Sequence, residues 1–203
     1  TKERLEQMSQ TGKHQGVIAV VAAYDYAEVE DMLALAKQKG EDPFLILLDN
    51  IEDPHNLGAV IRTANLAGAH GVIIPKRRAV GLTATVARTS ADAFNYTPVA
   101  KVTNIAKTIE ELKDRGMWFA CADMDGQVMY DCNLTGSIGL VIGNEGSGVS
   151  RLVKEKCDYV IVLYQLSTNF FFRSTSEQNA MGHNNAHNSV IFQVIQVVEQ
   201  KSI

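Results

Sequence analysis

The sequence predicts an α/β fold, with a mostly parallel sheet and helices on both of its faces. Short apolar runs alternate along the chain with longer segments whose apolar residues recur at helical spacing, and this alternation is typical of repeated β–α units. Most of the apolar runs are continuous, as expected of strands that are buried on both faces. A length of 203 residues suits a single domain with a sizeable core.

Each element follows from a local pattern in the chain. Apolar runs bounded by polar or glycine-containing segments predict seven strands, at Val17–Ala22, Phe44–Leu48, Gly71–Ile74, Tyr96–Val99, Trp118–Ala122, Ile138–Ile142 and Tyr159–Leu163. Helical spacing predicts five helices, at Ala27–Lys39, Asn56–Ala69, Thr83–Ser90, Asn104–Arg115 and Ser150–Lys156. The helix that starts at Asn104 is typical, because Ile105, Ile109 and Leu112 share one face of it.

The charge balance limits how this chain could bind nucleic acid. Its formal net charge is −4, which argues against a protein that binds polyanions over its whole surface. The densest basic run is Lys76, Arg77 and Arg78, directly after a predicted strand. This run is a candidate RNA contact, and charge alone supports a solvated loop equally well.

Other compositional signals exclude several classes of protein. No apolar stretch approaches the roughly 18 residues that a membrane span needs. Cys121, Cys132 and Cys157 are odd in number and lack CxxC spacing, which favours reduced thiols in a cytoplasmic protein over a disulfide framework or a zinc site. His183 and His187 are four residues apart but have no glutamate between them and no evident third ligand, so no metal site is predicted.

The most informative segment comes directly after the predicted strand Phe44–Leu48. It breaks the apolar pattern with Asp53 and Pro54, and Asn56 is expected to cap the following helix, which places Arg62 about two turns into that helix. Ligands bind at the carboxyl ends of strands in open parallel sheets. Spacing alone leaves an ordinary strand–loop–helix unit as an equal alternative.

A glycine-rich segment follows the predicted strand Ile138–Ile142. Gly143, Gly146 and Gly148 have the spacing G-x-x-G-x-G, which allows close approach of backbone to a ligand. The spacing differs from the dinucleotide-binding fingerprint, and no P-loop lysine follows. By itself this segment is better interpreted as a glycine turn in which Ser150 caps the next helix.

Together, these segments resemble the SpoU (TrmH) family of RNA ribose 2′-O-methyltransferases. Residues 53–68 (DPHNLGAVIRTANLAG) are similar to the first family motif and residues 142–149 (IGNEGSGV) to the second, while residues 75–78 (PKRR) and 88–91 (RTSA) also look like the family. The resemblance extends from about Gly12 to Val162. It implies a SPOUT-type fold with a C-terminal trefoil knot, S-adenosylmethionine as cofactor, and a homodimer.

The resemblance also implies roles for individual residues. Arg62, Asn56 and Glu145 would be catalytic, Gly143, Asn144, Gly146 and Leu163 would bind the cofactor, and Lys76, Arg77 and Arg78 would bind RNA. Arginine is protonated in proteins under ordinary conditions, so a bidentate clamp on a substrate phosphate is easier to defend for Arg62 than a general base. Asp92 stands where the family usually has glycine.

The leader His14–Val17 is similar to the bacterial branch that methylates a guanosine ribose in 23S ribosomal RNA. That branch has a small RNA-binding domain before the leader, and this domain is expected to be absent here, so residues 1–203 would be one catalytic domain. A transfer RNA substrate remains an alternative, because it would need the same motifs.

The tail departs from the family. From Leu163 onward the chain lacks the Ser-Ile-Pro-Met and Ser-Leu-Asn pattern of the third motif, and Leu163-Tyr164-Gln165 is what a one-base slip in a Ser-Ile-Pro codon run can produce. A frame slip and true divergence therefore both remain open. A lost third motif also leaves room for a non-catalytic RNA-binding or ribosome-assembly protein on the same fold.

Overall fold

Six strands form one parallel sheet in the computed structural model, which describes residues 2–9, 16–17, 24–144 and 146–162. The strands are β1 (Phe44–Leu48), β2 (Gly71–Pro75), β3 (Val99–Val102), β4 (Trp118–Val128), β5 (Ile138–Ile142) and β6 (Tyr159–Val162). Their order across the sheet is β3-β2-β1-β5-β4-β6, and every pairing is parallel. The predicted α/β class is confirmed.

Helices precede and connect these strands. They are α1 (Lys2–Met8), α2 (Val29–Lys39), α3 (Pro54–Leu66), α4 (Ala84–Thr89), α5 (Ile105–Lys113) and α6 (Arg151–Lys154), with 3-10 turns at Ala93–Asn95 and Met129–Asp131. The five predicted helices are present with ends shifted by at most three residues, while α1 was not predicted.

The core has two layers, one on each face of the sheet. Strand β1 is buried along its whole length, and its alternate side chains point to opposite faces. Ile46 packs with Val60 and Ile61 of α3 on one face, and Leu47 packs with Met32 and Ile109 on the other. Burying each such side chain stabilises the fold by about 1.5–3 kcal/mol. The central strands therefore form a rigid support for the loops at their carboxyl ends.

The prediction of a strand at Tyr96–Val99 is wrong in its position, because β3 runs from Val99 to Val102. Residues 93–95 form a 3-10 turn, and the Thr97 amide donates to the Ala93 carbonyl. Pairing with β2 therefore begins only after this turn, where the Pro98 carbonyl accepts the Val72 amide and Val99 pairs with Val72.

Strand β4 is longer than its prediction of Trp118–Ala122 and reaches Val128. It is irregular, since Ala122 and Gln127 both pair with Ile161 of β6. Gly126 lies directly on the β6 backbone, where a Cβ atom would come within 2.6 Å of the Val160 carbonyl oxygen. A polar, glycine-containing segment can join the sheet here because it pairs through its backbone.

The three cysteines are free thiols. Burial raises the pKa of the Cys132 thiol, and the Asp131 carboxylate acts in the same direction. A hydrogen bond with Cys157 lowers the pKa of Cys121, while it raises that of Cys157. Within the described residues, no helix is long and apolar enough to span a membrane, and no cluster of three potential metal ligands occurs.

Several predictions fall outside the described residues. They are most of the strand Val17–Ala22, the residues Glu145 and Leu163, the histidines His183 and His187, and the segment in which the knot would form. The knot stays a prediction from the resemblance.

The turn after α4 keeps its shape without the family's glycine. Asp92 has φ 59° and ψ 16°, and the preceding Ala91 has φ 50°. This left-handed region favours glycine, and aspartate is one of the few other residues that enter it readily. Asp92 therefore serves in place of glycine, and it makes no side-chain capping bond there.

We expect Asp92→Gly to change the free energy of unfolding little, by less than about 1 kcal/mol, because relief of left-handed strain offsets the added freedom of the unfolded chain. Asp92→Val should lower it by about 1–2 kcal/mol, since a β-branched residue is strained at positive φ. Urea unfolding of the two variants measures the difference. Equal stability of both variants would show that this backbone conformation carries no strain.

Candidate active site at the carboxyl edge of the sheet

The loops after β1, β2 and β5 lie side by side at one edge of the sheet. This follows from the strand order, in which β1 lies between β2 and β5. The Asp49 amide donates to the Ile142 carbonyl at 2.8 Å, and the Val80 amide donates to the Ile51 carbonyl at 3.0 Å. Both neighbouring loops are thus bound to the loop after β1, which is the expected position for a ligand site in a parallel sheet.

The start of α3 differs from its prediction. The N-cap is Asp53, whose Oδ1 accepts the His55 amide at 2.9 Å, and Pro54 occupies the first helical position. Proline suits that position because its fixed φ matches the helix and its missing N–H would have no helical partner. Asn56 as N-cap is therefore wrong. It lies inside the first turn of α3, where it is only 8% exposed.

Helix α3 packs very closely on α4 through Gly58. A Cβ atom there would overlap the side chain of Thr89 and come within 3.0 Å of the Ser90 amide nitrogen. Thr89 Oγ1 lies against the Pro54 carbonyl at 3.3 Å, so the first turn of α3 is held against the end of α4. This contact joins two segments that the sequence matched separately to one family.

Arg62 is exposed on α3 and leans towards the end of α4. Its Nη1 donates to the Thr89 carbonyl at 3.5 Å, which is long for such a bond. A guanidinium group has five N–H donors, so the described residues leave nearly all of its hydrogen-bonding capacity for a ligand. That Arg62 meets the glycine loop stays a prediction, as its hydrogen bond goes to α4.

The glycine loop, residues 143–148, folds back on itself. Asn144 and Gly148 exchange two backbone hydrogen bonds, of 3.1 and 2.8 Å, and Gly148 has a φ of 68°. A Cβ atom on Gly143 would overlap the backbone of Gly148 and Val149. Gly143 is therefore needed for the loop's own closure. Gly146, in contrast, is exposed and would meet only Asn144 Oδ1, at 3.5 Å.

Two side chains connect this loop to the loop after β1. Asn144 Nδ2 donates to the Asn50 carbonyl at 3.0 Å, and the Ser150 amide donates to Asp49 Oδ2 at 2.7 Å. The sequence predictions missed Asp49 and Ser150 as partners. A polar residue directly after a fully apolar strand was the available signal for Asp49.

Many of the described cations are paired with carboxylates. Six such pairs involve residues in or next to α2, α5 and α6, namely Lys107–Glu111, Lys113–Asp158, Arg115–Glu30, Arg151–Glu155, Lys154–Asp123 and Lys156–Glu110, while Lys37 and Lys39 at the end of α2 make no ion pair with a described residue. Near the candidate site, Lys76, Arg77 and Arg78 follow β2, Arg62 and Arg88 lie on α3 and α4, and all are exposed. No ion pair to any of these five occurs in the part of the chain that the structure describes.

Comparisons with known proteins point to one family. A sequence model of the SpoU rRNA Methylase family matches residues 43–169, and a model described as RNA 2′-O ribose methyltransferase substrate binding matches residues 1–27. YacO of Bacillus subtilis, described as a TrmH family tRNA/rRNA methyltransferase, is 54% identical over 164 residues, which cover 80% of this chain and 65% of YacO. A Staphylococcus epidermidis protein of the same description is 50% identical, over 73% of this chain and 60% of its own length. The chain thus spans somewhat less than two thirds of these relatives.

Solved structures show the same fold. The SpoU methyltransferase AviRb from Streptomyces viridochromogenes, in complex with AdoMet, superposes with a TM-score of 0.64 at 24% identity, covering 78% of this chain and 58% of AviRb. A TrmH/SpoU tRNA modifying enzyme from A. aeolicus gives 0.61 at 19% identity, covering 79% of this chain and 76% of that one.

Proposed function

Since the chain belongs to the SpoU rRNA Methylase family, we propose that it transfers a methyl group from S-adenosylmethionine to a ribose 2′-hydroxyl of RNA. We further propose a guanosine of 23S ribosomal RNA as the substrate, with residues 1–203 acting as one catalytic domain in the cytoplasm. The proposal rests on the direct hydrogen bonds that join the loop after β1 to the loop after β5. These are the loops from which the two family motifs extend.

The glycine loop fits the cofactor. At its exposed stretch, Gly146 and Ser147, a Cβ atom on the glycine would meet only Asn144 Oδ1 among the described residues, at 3.5 Å, so a ligand can approach the backbone. Gly143 was expected to contact the cofactor. Its missing side chain instead allows the loop to close, so its contribution to cofactor binding would be indirect. Glu145 and Leu163 remain proposed site residues from the resemblance alone.

When bound, S-adenosylmethionine supplies an activated methyl group on a sulfonium that leaves readily. The glycine loop would hold this cofactor, and transfer of its methyl group to the 2′-oxygen would release a neutral thioether, with the hydroxyl proton passing to a base or to water. The protein must therefore align the 2′-oxygen and help one proton to leave. Arg62 suits the first task, because its free donors can hold a substrate phosphate beside the reacting ribose. Asn56, buried in the first turn of α3, would orient Arg62 or the ribose.

The unpaired cations support an RNA substrate despite the net charge of −4. Phosphates are bound by exposed lysine and arginine side chains, and pairing with carboxylates would weaken such binding. Lys76, Arg77 and Arg78 follow β2, next to β1 in the sheet, so an RNA strand held there would pass the loop that leads to Arg62.

We expect the triple variant Lys76→Ala, Arg77→Ala, Arg78→Ala to bind RNA more weakly and with a shallower salt dependence. Each lost phosphate contact reduces the slope of log Kd against log salt by about 0.7–0.9. Fluorescence anisotropy at several salt concentrations measures this, and Lys107→Ala, which removes a paired lysine on α5, serves as control. An unchanged slope in the triple variant would place the RNA elsewhere.

We also propose a homodimer, which the family resemblance supports. Transfer RNA is the competing substrate, favoured by the descriptions of the relatives as tRNA/rRNA methyltransferases. Sedimentation at micromolar concentration tests the dimer, and a monomer alone would contradict it.

The function itself is tested by incubating the protein with labelled S-adenosylmethionine and either 23S ribosomal RNA or transfer RNA. We expect label in ribosomal RNA that resists alkaline cleavage, as a 2′-O-methyl group does. Label in transfer RNA alone would overturn the proposed substrate. Calorimetry that detects no cofactor binding, combined with tight RNA binding, would instead support the non-catalytic RNA-binding protein.

A further inference from the structure

Asp49 is a buried carboxylate held between two elements of the candidate site. It is 6% exposed, its amide donates to Ile142 at the end of β5, and its Oδ2 accepts the Ser150 amide at the start of α6. Burial of a carboxylate is costly unless its oxygens are hydrogen-bonded. Asp49 thus fixes the far end of the glycine loop to the sheet.

Asn144 fixes the near end, and its amide group makes contacts in two directions. Oδ1 accepts the amides of Gly146 and Ser147 at 2.9 and 3.4 Å, which curls the loop. Nδ2 donates to the carbonyl of Asn50, a residue with a φ of 61°. The first contacts shape the loop, and the second attaches it to the loop after β1.

Between these two attachments lies the exposed backbone at Gly146 and Ser147. Three glycines give residues 143–148 a large conformational freedom when unfolded or released. A ligand that binds such a segment must overcome this entropy, unless the protein has already ordered it. Here the ordering contacts come from the side chains of Asp49 and Asn144, and Asn144 Oδ1 itself accepts the two exposed amides.

We propose that Asp49 and Asn144 are positioning residues for cofactor binding, which act by holding the glycine loop in its binding conformation. This role presupposes the proposed function, because it concerns the cofactor side of the same site. The resemblance implies that Asn144 binds the cofactor; in this proposal it acts instead through the loop and the Asn50 carbonyl, without a direct contact to the cofactor. Loss of either attachment should raise the Kd for S-adenosylmethionine without removing any group that touches it.

Asn144→Asp tests the attachment selectively. It keeps an oxygen that can accept the Gly146 and Ser147 amides, but it loses the Nδ2 donor and places a carboxylate against the Asn50 carbonyl. We expect the Kd for S-adenosylmethionine, measured by calorimetry, to rise at least about tenfold, near the upper end for one hydrogen bond. Asp49→Ala should act similarly, and Asp49→Asn should restore most of the affinity, because its amide oxygen can still accept the Ser150 amide.

The matched control is Asn65→Asp at the opposite end of α3. It also loses an Nδ2 donor, here to Thr97 Oγ1 at 3.0 Å, so its cost in stability is comparable. We expect its Kd to stay within about twofold of the wild-type value. A Kd for Asn144→Asp that is no higher than that of the control would overturn the positioning role.

Amide hydrogen exchange by NMR, without cofactor, provides a second and independent readout. Asp49→Ala should speed exchange of the Ser150 amide and Asn144→Asp that of Gly148, each at least about tenfold, while Asn65→Asp leaves both unchanged. Unchanged exchange would overturn the inference, as would faster exchange with an unaltered Kd. If the wild-type protein binds no S-adenosylmethionine, the proposed function fails, whereas the exchange rates still decide whether these side chains hold the loop.

Discussion

Arg62→Ala is expected to reduce methyl transfer at least about a hundredfold, while the Kd for S-adenosylmethionine changes little. Arg62 lies on α3, in a motif separate from the glycine loop, and its hydrogen bond in the structure is a long one to the Thr89 carbonyl. Its removal therefore disturbs the fold little and takes a positive charge from the proposed position of the substrate. Single-turnover rates at saturating RNA, together with cofactor calorimetry, measure the two effects separately.

The control for Arg62 is Arg115→Ala. Arg115 is an exposed arginine just after α5, and it pairs with Glu30 of α2. Its substitution should leave the turnover rate unchanged. If Arg62 only clamps a phosphate, its loss should mainly weaken RNA binding, by about 1.5–3 kcal/mol, and high RNA concentration should restore the rate. Wild-type turnover in Arg62→Ala at low RNA concentration would exclude both roles.

Gly143→Ala should lower the free energy of unfolding by about 1–3 kcal/mol and abolish cofactor binding. The added Cβ atom would overlap backbone atoms of Gly148 and Val149, and backbone cannot swing aside as a side chain can. Relief of the overlap must open the loop, which destroys the conformation that would contact the cofactor. Urea unfolding and calorimetry on the same sample test both parts.

Gly146→Ala is the matched comparison within the same loop. Its Cβ atom would meet only Asn144 Oδ1 at an ordinary 3.5 Å, so stability should be retained while the methyl group occupies the space proposed for the ligand. We expect weaker cofactor binding with an unchanged unfolding midpoint. Equal loss of stability in the two variants would contradict the different roles of the two glycines.

The sequence predicted the central strands almost to the residue. Phe44–Leu48 and Ile138–Ile142 match β1 and β5 in full, because strands buried on both faces leave an uninterrupted apolar run. Local sequence patterns predicted strands less well where backbone pairing alone determines whether a segment joins the sheet. Residues 123–128 have no strand-like pattern, yet they belong to β4 through its pairing with β6.

The candidate site, too, was predicted only in part from the sequence. The two motif segments were found from the sequence, and the structure does bring their loops together. The choice of N-cap was wrong because Asp53 and Asn56 both favour capping, and Pro54 decided between them by fixing where the helix begins. The bond from Ser150 to Asp49 spans 101 residues of chain, so no local pattern could have predicted it.

The separation of those partners has a consequence for how the protein is made. Asn50 and Asn144 are 94 residues apart, and β1 lies between strands that leave the ribosome at very different times. At about 5–20 residues per second, one edge of β1 waits on the order of 5–20 seconds for β5. During that interval the nascent chain exposes an apolar strand with unpaired backbone groups, so the loop that carries the start of α3 gains its partner only after β5 has been made.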